Sequence, residues 1–218
     1  MTKRLAKEVV IFDFDGTIVD SMQAFADIAA HVIPKYYSMD AQTARRKYLE
    51  TSGIPFFQQL EVLFPNDESN DIAADEFERI KKKDFMSKPA YSGTRETLEN
   101  LRKRGIKTVV SSNNFQELVD PHVEKLGIIF DIVLGFKTNF AKGKDHFAYI
   151  EKVLNVQKEK MLFVGDSIKD GERAESFGID FIGKTGTFTK DEFKSKFPNS
   201  EIINDIIELQ DILADREI

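Results

Sequence analysis

Short runs of apolar, largely β-branched residues recur along the chain at Glu8–Phe14, Ile106–Val110, Ile128–Leu134, Lys160–Val164 and Ile179–Ile182. They are nearly continuous rather than alternating, the pattern of strands covered on both faces. Between them apolar residues return at helical spacing: Leu98 and Leu101 in Thr94–Arg104, Leu118, Val119, His122 and Leu126 in Phe115–Leu126, and Ile150 in Phe147–Leu154. Strands alternating with helices predict an α/β fold built on a doubly wound parallel sheet. From Asp20 to Lys88 the alternation stops. That interval predicts helices over Ala24–Tyr37, Ala41–Thr51, Phe56–Leu63 and Ile72–Met86, with loop signals at Ser52-Gly53-Ile54-Pro55 and at 65–70. The chain therefore divides into an α/β core of residues 1–19 and 89–218 and an inserted helical subdomain of residues 20–88. Within the insertion, Lys81-Lys82-Lys83 is read as a solvated helix face, the alternative being a lure for an anionic substrate.

A length of 218 residues fits one core with a modest insertion. The net charge of −6 is the wrong sign for tracking nucleic-acid phosphates over the whole surface, so no nucleic-acid partner is expected. Without cysteine there is no disulfide, thiol catalysis or cysteine-bound zinc, and His31, His122 and His146 are too scattered to suggest a histidine metal site. Any metal must take oxygen ligands. Lys3, Arg4 and Lys7 precede an apolar run of only Val9–Phe12, too short for a signal segment or a membrane span, so a cytoplasmic protein without a membrane partner is expected.

The chemistry gathers where strands end, the edge at which open α/β sheets hold ligands. Asp13-Phe14-Asp15-Gly16-Thr17 closes the first strand, and crowding two carboxylates beside a turn is costly unless a cation or proton compensates. Val164-Gly165-Asp166-Ser167, followed by Asp170, repeats the arrangement after a later strand. Carboxylates from two strand ends suit a hard cation such as Mg²⁺. Ser111-Ser112-Asn113 offers hydroxyl and amide donors at the same edge, ahead of a helix N-terminus that favours an anion. Lys142, with Lys144 beyond it, places an ammonium before another helix. Taken singly, each has a bland explanation: an acidic turn, a helix cap, a solvated lysine.

Taken in order, they resemble the haloacid dehalogenase-like hydrolase superfamily, in its phosphoglycolate phosphatase-like branch. Asp13 to Thr17 resembles the first motif, Ser111 the second, Lys142 the third, and Gly165-Asp166-Ser167 with Asp170 the fourth. The inserted helices resemble the family's α-helical cap, and Tyr91-Ser92-Gly93 its exit. The third motif departs from the usual Lys-Pro-x-Pro, since Lys142-Gly143-Lys144-Asp145 stands there; register favours Lys142 over Lys144. The resemblance implies a Mg²⁺-dependent phosphatase acting on a small phosphorylated metabolite through an aspartyl-phosphate. Asp13 is then the nucleophile and Asp15 the acid and base. Ser111 and Lys142 hold the phosphoryl group, with Ser112 and Asn113 beside them. Asp13, the backbone carbonyl of Asp15, Asp166 and Asp170 form the metal site. Asp15 also argues against the carbon-attacking dehalogenase branch, which lacks it. A sugar-phosphate mutase similar to β-phosphoglucomutase and a phosphate-binding protein without turnover remain as alternatives. Thr51 to Phe56 is a candidate loop for reading the leaving group.

Overall fold

The computed structural model describes residues 5–213; Lys3 and Arg4, like the outer ends of the expected core domain, lie outside them. Six parallel strands form one sheet in the order β3-β2-β1-β4-β5-β6, with β1 at Val9–Phe12, β2 at Lys107–Phe115, β3 at Ile132–Phe136, β4 at Met161–Gly165, β5 at Asp180–Lys184 and β6 at Glu201–Ile203. This is the doubly wound α/β arrangement. The strand order reverses at β1, so the crevice beyond its C-terminal end is the natural ligand position.

Both faces of β1 are buried, because successive side chains enter different layers. Val10 and Phe12 join the cluster that continues into the inserted helices, whereas Val9 and Ile11 join a second cluster with Phe147, Phe163 and Phe181. The first layer is covered by α5 (Thr94–Lys103) and α6 (Gln116–Leu126), and the second by α7 (Lys144–Leu154), α8 (Ile168–Phe177) and α9 (Lys190–Lys196). A short α10 (Leu209–Ile212) follows β6.

Between β1 and α5 stand α1 (Met22–Tyr36), α2 (Ala41–Glu50), α3 (Phe56–Leu63) and α4 (Asn70–Phe85), which together form a cap. Two chain crossings join cap and core side by side: Asp20 N–H donates to Pro89 O at 3.0 Å and Tyr91 N–H to Ile18 O at 2.9 Å. No helix among the described residues is long and apolar enough to cross a membrane.

Several boundaries differ from the expectations. The run at Ile128 enters the sheet only at Ile132, because Gly127 takes the left-handed conformation (φ 61°) that ends α6 and Ile128 packs into the core before the strand begins. β2 continues to Phe115 through the polar Ser-Ser-Asn-Asn run, with a register shift against β3. The edge strand β6 and α9 were not anticipated; three residues of edge strand carry little periodic signal.

Candidate active site

β1 carries Asp13 to the sheet edge, where its N–H donates to Val164 O of β4 at 2.8 Å. The chain then turns at Gly16, whose φ of 79° suits glycine and whose missing side chain leaves room for the Asp166 carboxylate. Asp166 follows β4 directly. Asp170 sits in the first turn of α8, where Ser167 Oγ donates to its Oδ2 at 2.7 Å and the pair forms a reciprocal cap. Lys142, in the connection from β3 to α7, reaches both sides: its Nζ lies 2.8 Å from Asp13 Oδ1 and 2.7 Å from Asp170 Oδ1.

Asp13, Asp166 and Asp170 are all buried and offer carboxylate oxygens within 4.8 Å of one another. Burial and the neighbouring carboxylates push Asp166 well above the usual carboxylate range. Burial also raises Asp13 in spite of Lys142. Burial opposes the charge on Lys142, but Asp13 and Asp170 hold its pKa above the ordinary lysine value. The Lys142 ammonium and the Arg173 guanidinium, the latter 3.5 Å from Asp170 Oδ1, thus face three carboxylates, and this all-oxygen set with negative charge left over fits a hard divalent cation such as Mg²⁺. The Asp15 carboxylate is directed elsewhere. Its Oδ1 accepts from Ser21 Oγ at 2.6 Å and its Oδ2 from Asn114 Nδ2. Burial, opposed by the Ser21 hydrogen bond and reinforced by the charge of Asp13, pushes its carboxyl up to about 7.

Other expected residues are distributed by strand alternation. The Ser111 hydroxyl is fully buried 2.8 Å from Nδ1 of His146 on α7, and it is not among the groups lining the cavity. Ile11 of β1 pairs with Val109 of β2 in the layer shared with Phe147 and Phe163, so by strand alternation Ser111 continues the same face of the sheet as Asp13. Ser112 Oγ accepts from Asn114 N–H at 3.0 Å. Asn113 Nδ2 donates across to Gly53 O of the cap at 2.8 Å. Lys144 is exposed at the start of α7, while Lys142 is buried.

Lys81 corrects the reading of its run as a solvated face. Lys82 and Lys83 are exposed, but Lys81 is buried, with Nζ donating to Asn114 Oδ1 at 2.8 Å and lying 2.7 Å from Glu78 Oε2. The signal was present in the spacing, since Ala74, Phe77, Lys81 and Phe85 share the buried face of α4. Ser21 and Asn114 were missed as partners of Asp15, as was Lys184, whose Nζ donates to Gly16 O at 3.1 Å beneath the Tyr91 ring. Between the strand ends and the cap lies a cavity of about 500 Å³, walled by the catalytic-edge carboxylates, Asn113 and Asn114, the loop Ser52–Phe57 and one face of α4.

An α/β core with acidic groups at two strand ends and a helical cap over them defines a capped hydrolase. The chain matches the haloacid dehalogenase-like hydrolase family over residues 10–184 and belongs to it. It is 28% identical to the phosphoglycolate phosphatase of Pseudomonas fluorescens over 181 residues, covering 78% of this chain and 66% of that protein, so it spans just under two thirds of that relative's length. It is 21% identical to the pyrophosphatase PpaX of Halalkalibacterium halodurans, covering 94% of this chain and 96% of that one. Among solved structures, a haloacid dehalogenase-like family hydrolase from Streptococcus pneumoniae shares the fold, with a TM-score of 0.78, 19% identity and coverage of 94% and 97% of the two chains.

Proposed function

We propose that the chain is a Mg²⁺-dependent phosphatase that hydrolyses a small phosphate monoester through an aspartyl-phosphate on Asp13. The observation that carries this reading is the contrast between two buried carboxyls one residue apart. Asp13 faces an ammonium within an acidic cluster, whereas Asp15 is met by a hydroxyl and an amide. The first arrangement suits an ionised nucleophile, the second a carboxyl that can carry a proton. The names of the relatives, a phosphoglycolate phosphatase and a pyrophosphatase, support chemistry at phosphorus.

In the first step an Asp13 oxygen attacks phosphorus, the P–O ester bond breaks, and Asp15 gives its proton to the departing alkoxide. In the second, Asp15 takes a proton from water as that water attacks the aspartyl-phosphate, so free phosphate leaves and both residues return to their starting forms. The Lys142 ammonium and the Ser111 hydroxyl, with donors of Ser112 and Asn113 beside them at the end of β2, hold the phosphoryl oxygens. Asp13, Asp166 and Asp170, with the Asp15 carbonyl, would hold Mg²⁺, which when bound offsets the repulsion between carboxylate and phosphate. Residues 20–88 act as the cap that closes over this edge and excludes water.

The test is phosphate release from p-nitrophenyl phosphate with Mg²⁺, after EDTA, and after Mg²⁺ is restored. Activity is expected to vanish and return. Full turnover in metal-free buffer contradicts the metal role, and halide release from a haloacid contradicts the reaction class.

A further inference from the structure

We propose that the alcohol released by this site carries a positively charged nitrogen and no carboxylate, as in an amino-alcohol phosphate. This rests on the phosphatase reading and assigns the end of the cavity away from phosphorus. On α4, Asp71, Asp75 and Glu78 follow one another at helical spacing and all line the cavity. Two lysines line it as well, and both are already matched: Lys142 by Asp13 and Asp170, Lys81 by Glu78. Asp71 and Asp75 make no ion pair among the described residues. A leaving group bearing a carboxylate would therefore enter a space with unpaired negative charge and no free counter-ion, whereas an ammonium would meet complementary charge.

Two further observations point to a ligand. Ser52, on the loop between α2 and α3, is 2% exposed, lines the cavity, and its hydroxyl has no hydrogen-bond partner. Buried hydroxyls are seldom left unpaired, so a polar group of the ligand, donor or acceptor, is the natural partner for this one. The cap walls beside it are aromatic, including Tyr48, Phe56 and Phe57, and aromatic faces attract a cation while rejecting an anion. The orphan hydroxyl marks where a polar ligand group sits, and the acidic rim and aromatic wall select a cation for it.

The experiment compares kcat/KM of the full chain with Mg²⁺ for ethanolamine phosphate and 2-phosphoglycolate, with p-nitrophenyl phosphate as reference. Ethanolamine phosphate is expected to exceed 2-phosphoglycolate by about 10-fold or more, and the double variant Asp71→Asn, Asp75→Asn to bring the ratio towards unity. Ser52→Ala is expected to keep or raise the melting temperature, since it removes an unsatisfied hydroxyl, while kcat/KM for ethanolamine phosphate drops about 10-fold. Equal or better turnover of 2-phosphoglycolate overturns the assignment, as does a Ser52→Ala enzyme with unchanged kcat/KM. Hydrolysis of p-nitrophenyl phosphate with the carboxylate ester preferred overturns this inference alone; no hydrolysis of any ester overturns the phosphatase reading and this inference with it.

Discussion

Lys142 shows how much a single side chain is asked to do. Its ammonium lies within hydrogen-bond reach of both Asp13 and Asp170, so it offsets the charge around Asp13 and is held in a fixed position at the strand end. Preorganised charge of this kind typically contributes about 10² to 10³ in turnover. Lys142→Met is therefore expected to lower kcat by about 10² to 10³, whereas the exposed Lys144 is expected to tolerate Met with kcat nearly unchanged. Steady-state kinetics of the two variants, with folding followed by circular dichroism in Mg²⁺, check this. The reverse pattern would move the phosphoryl contact to Lys144.

At the scale of elements, the end of β2 joins cap and catalytic edge. Asn113 reaches the cap backbone at Gly53, and Asn114 stands between Lys81 of α4 and the Asp15 carboxylate. If Asn114 orients Asp15 for proton donation, Asn114→Ala should cost about 10-fold or more on alkyl phosphates but little on p-nitrophenyl phosphate, whose leaving group needs no proton. Equal losses on both esters would contradict that role. These contacts also mark where the sequence stops being legible. The alternating strands and helices, the helical insertion and the acidic strand ends could be read because they follow from periodicity and from where carboxylates fall relative to apolar runs. Which serine faces which layer was not legible, because hydropathy ends the strand at Val110, while the backbone carries β2 on through four polar residues whose alternation decides it. Lys81 was hidden because three adjacent lysines look alike until the buried face of α4 selects one. The Asp13–Lys142–Asp170 arrangement needs three connections brought together, which no local pattern encodes.

At the scale of the molecule, the two layers flanking the sheet bury ionisable groups whose cost varies with pH. His146 is fully buried on the face of α7 that packs against the sheet, and burial together with the Lys142 charge pushes its pKa down to about 4; burial lowers His122 as well. Between the ordinary imidazole value of 6.5 and about 4 the unfolded chain takes up protons that the folded chain refuses. Stability from these groups is therefore complete above the upper value and falls as pH drops through that window, by up to about 3 kcal/mol for His146. His146→Gln should flatten this acid limb in denaturant titrations with Mg²⁺ present; an unchanged slope would contradict it. The central claim joins both layers and the cap at one atom, the Asp13 carboxylate oxygen that receives the phosphoryl group. Acid quenching during turnover of a phosphate monoester, followed by peptide mass analysis, tests it most directly. The account predicts one phosphoryl group on the peptide containing Asp13, discharged by water in the native enzyme and absent, with turnover lost, in Asp13→Asn. A phosphoryl group on another residue, or undiminished turnover by Asp13→Asn, would contradict it.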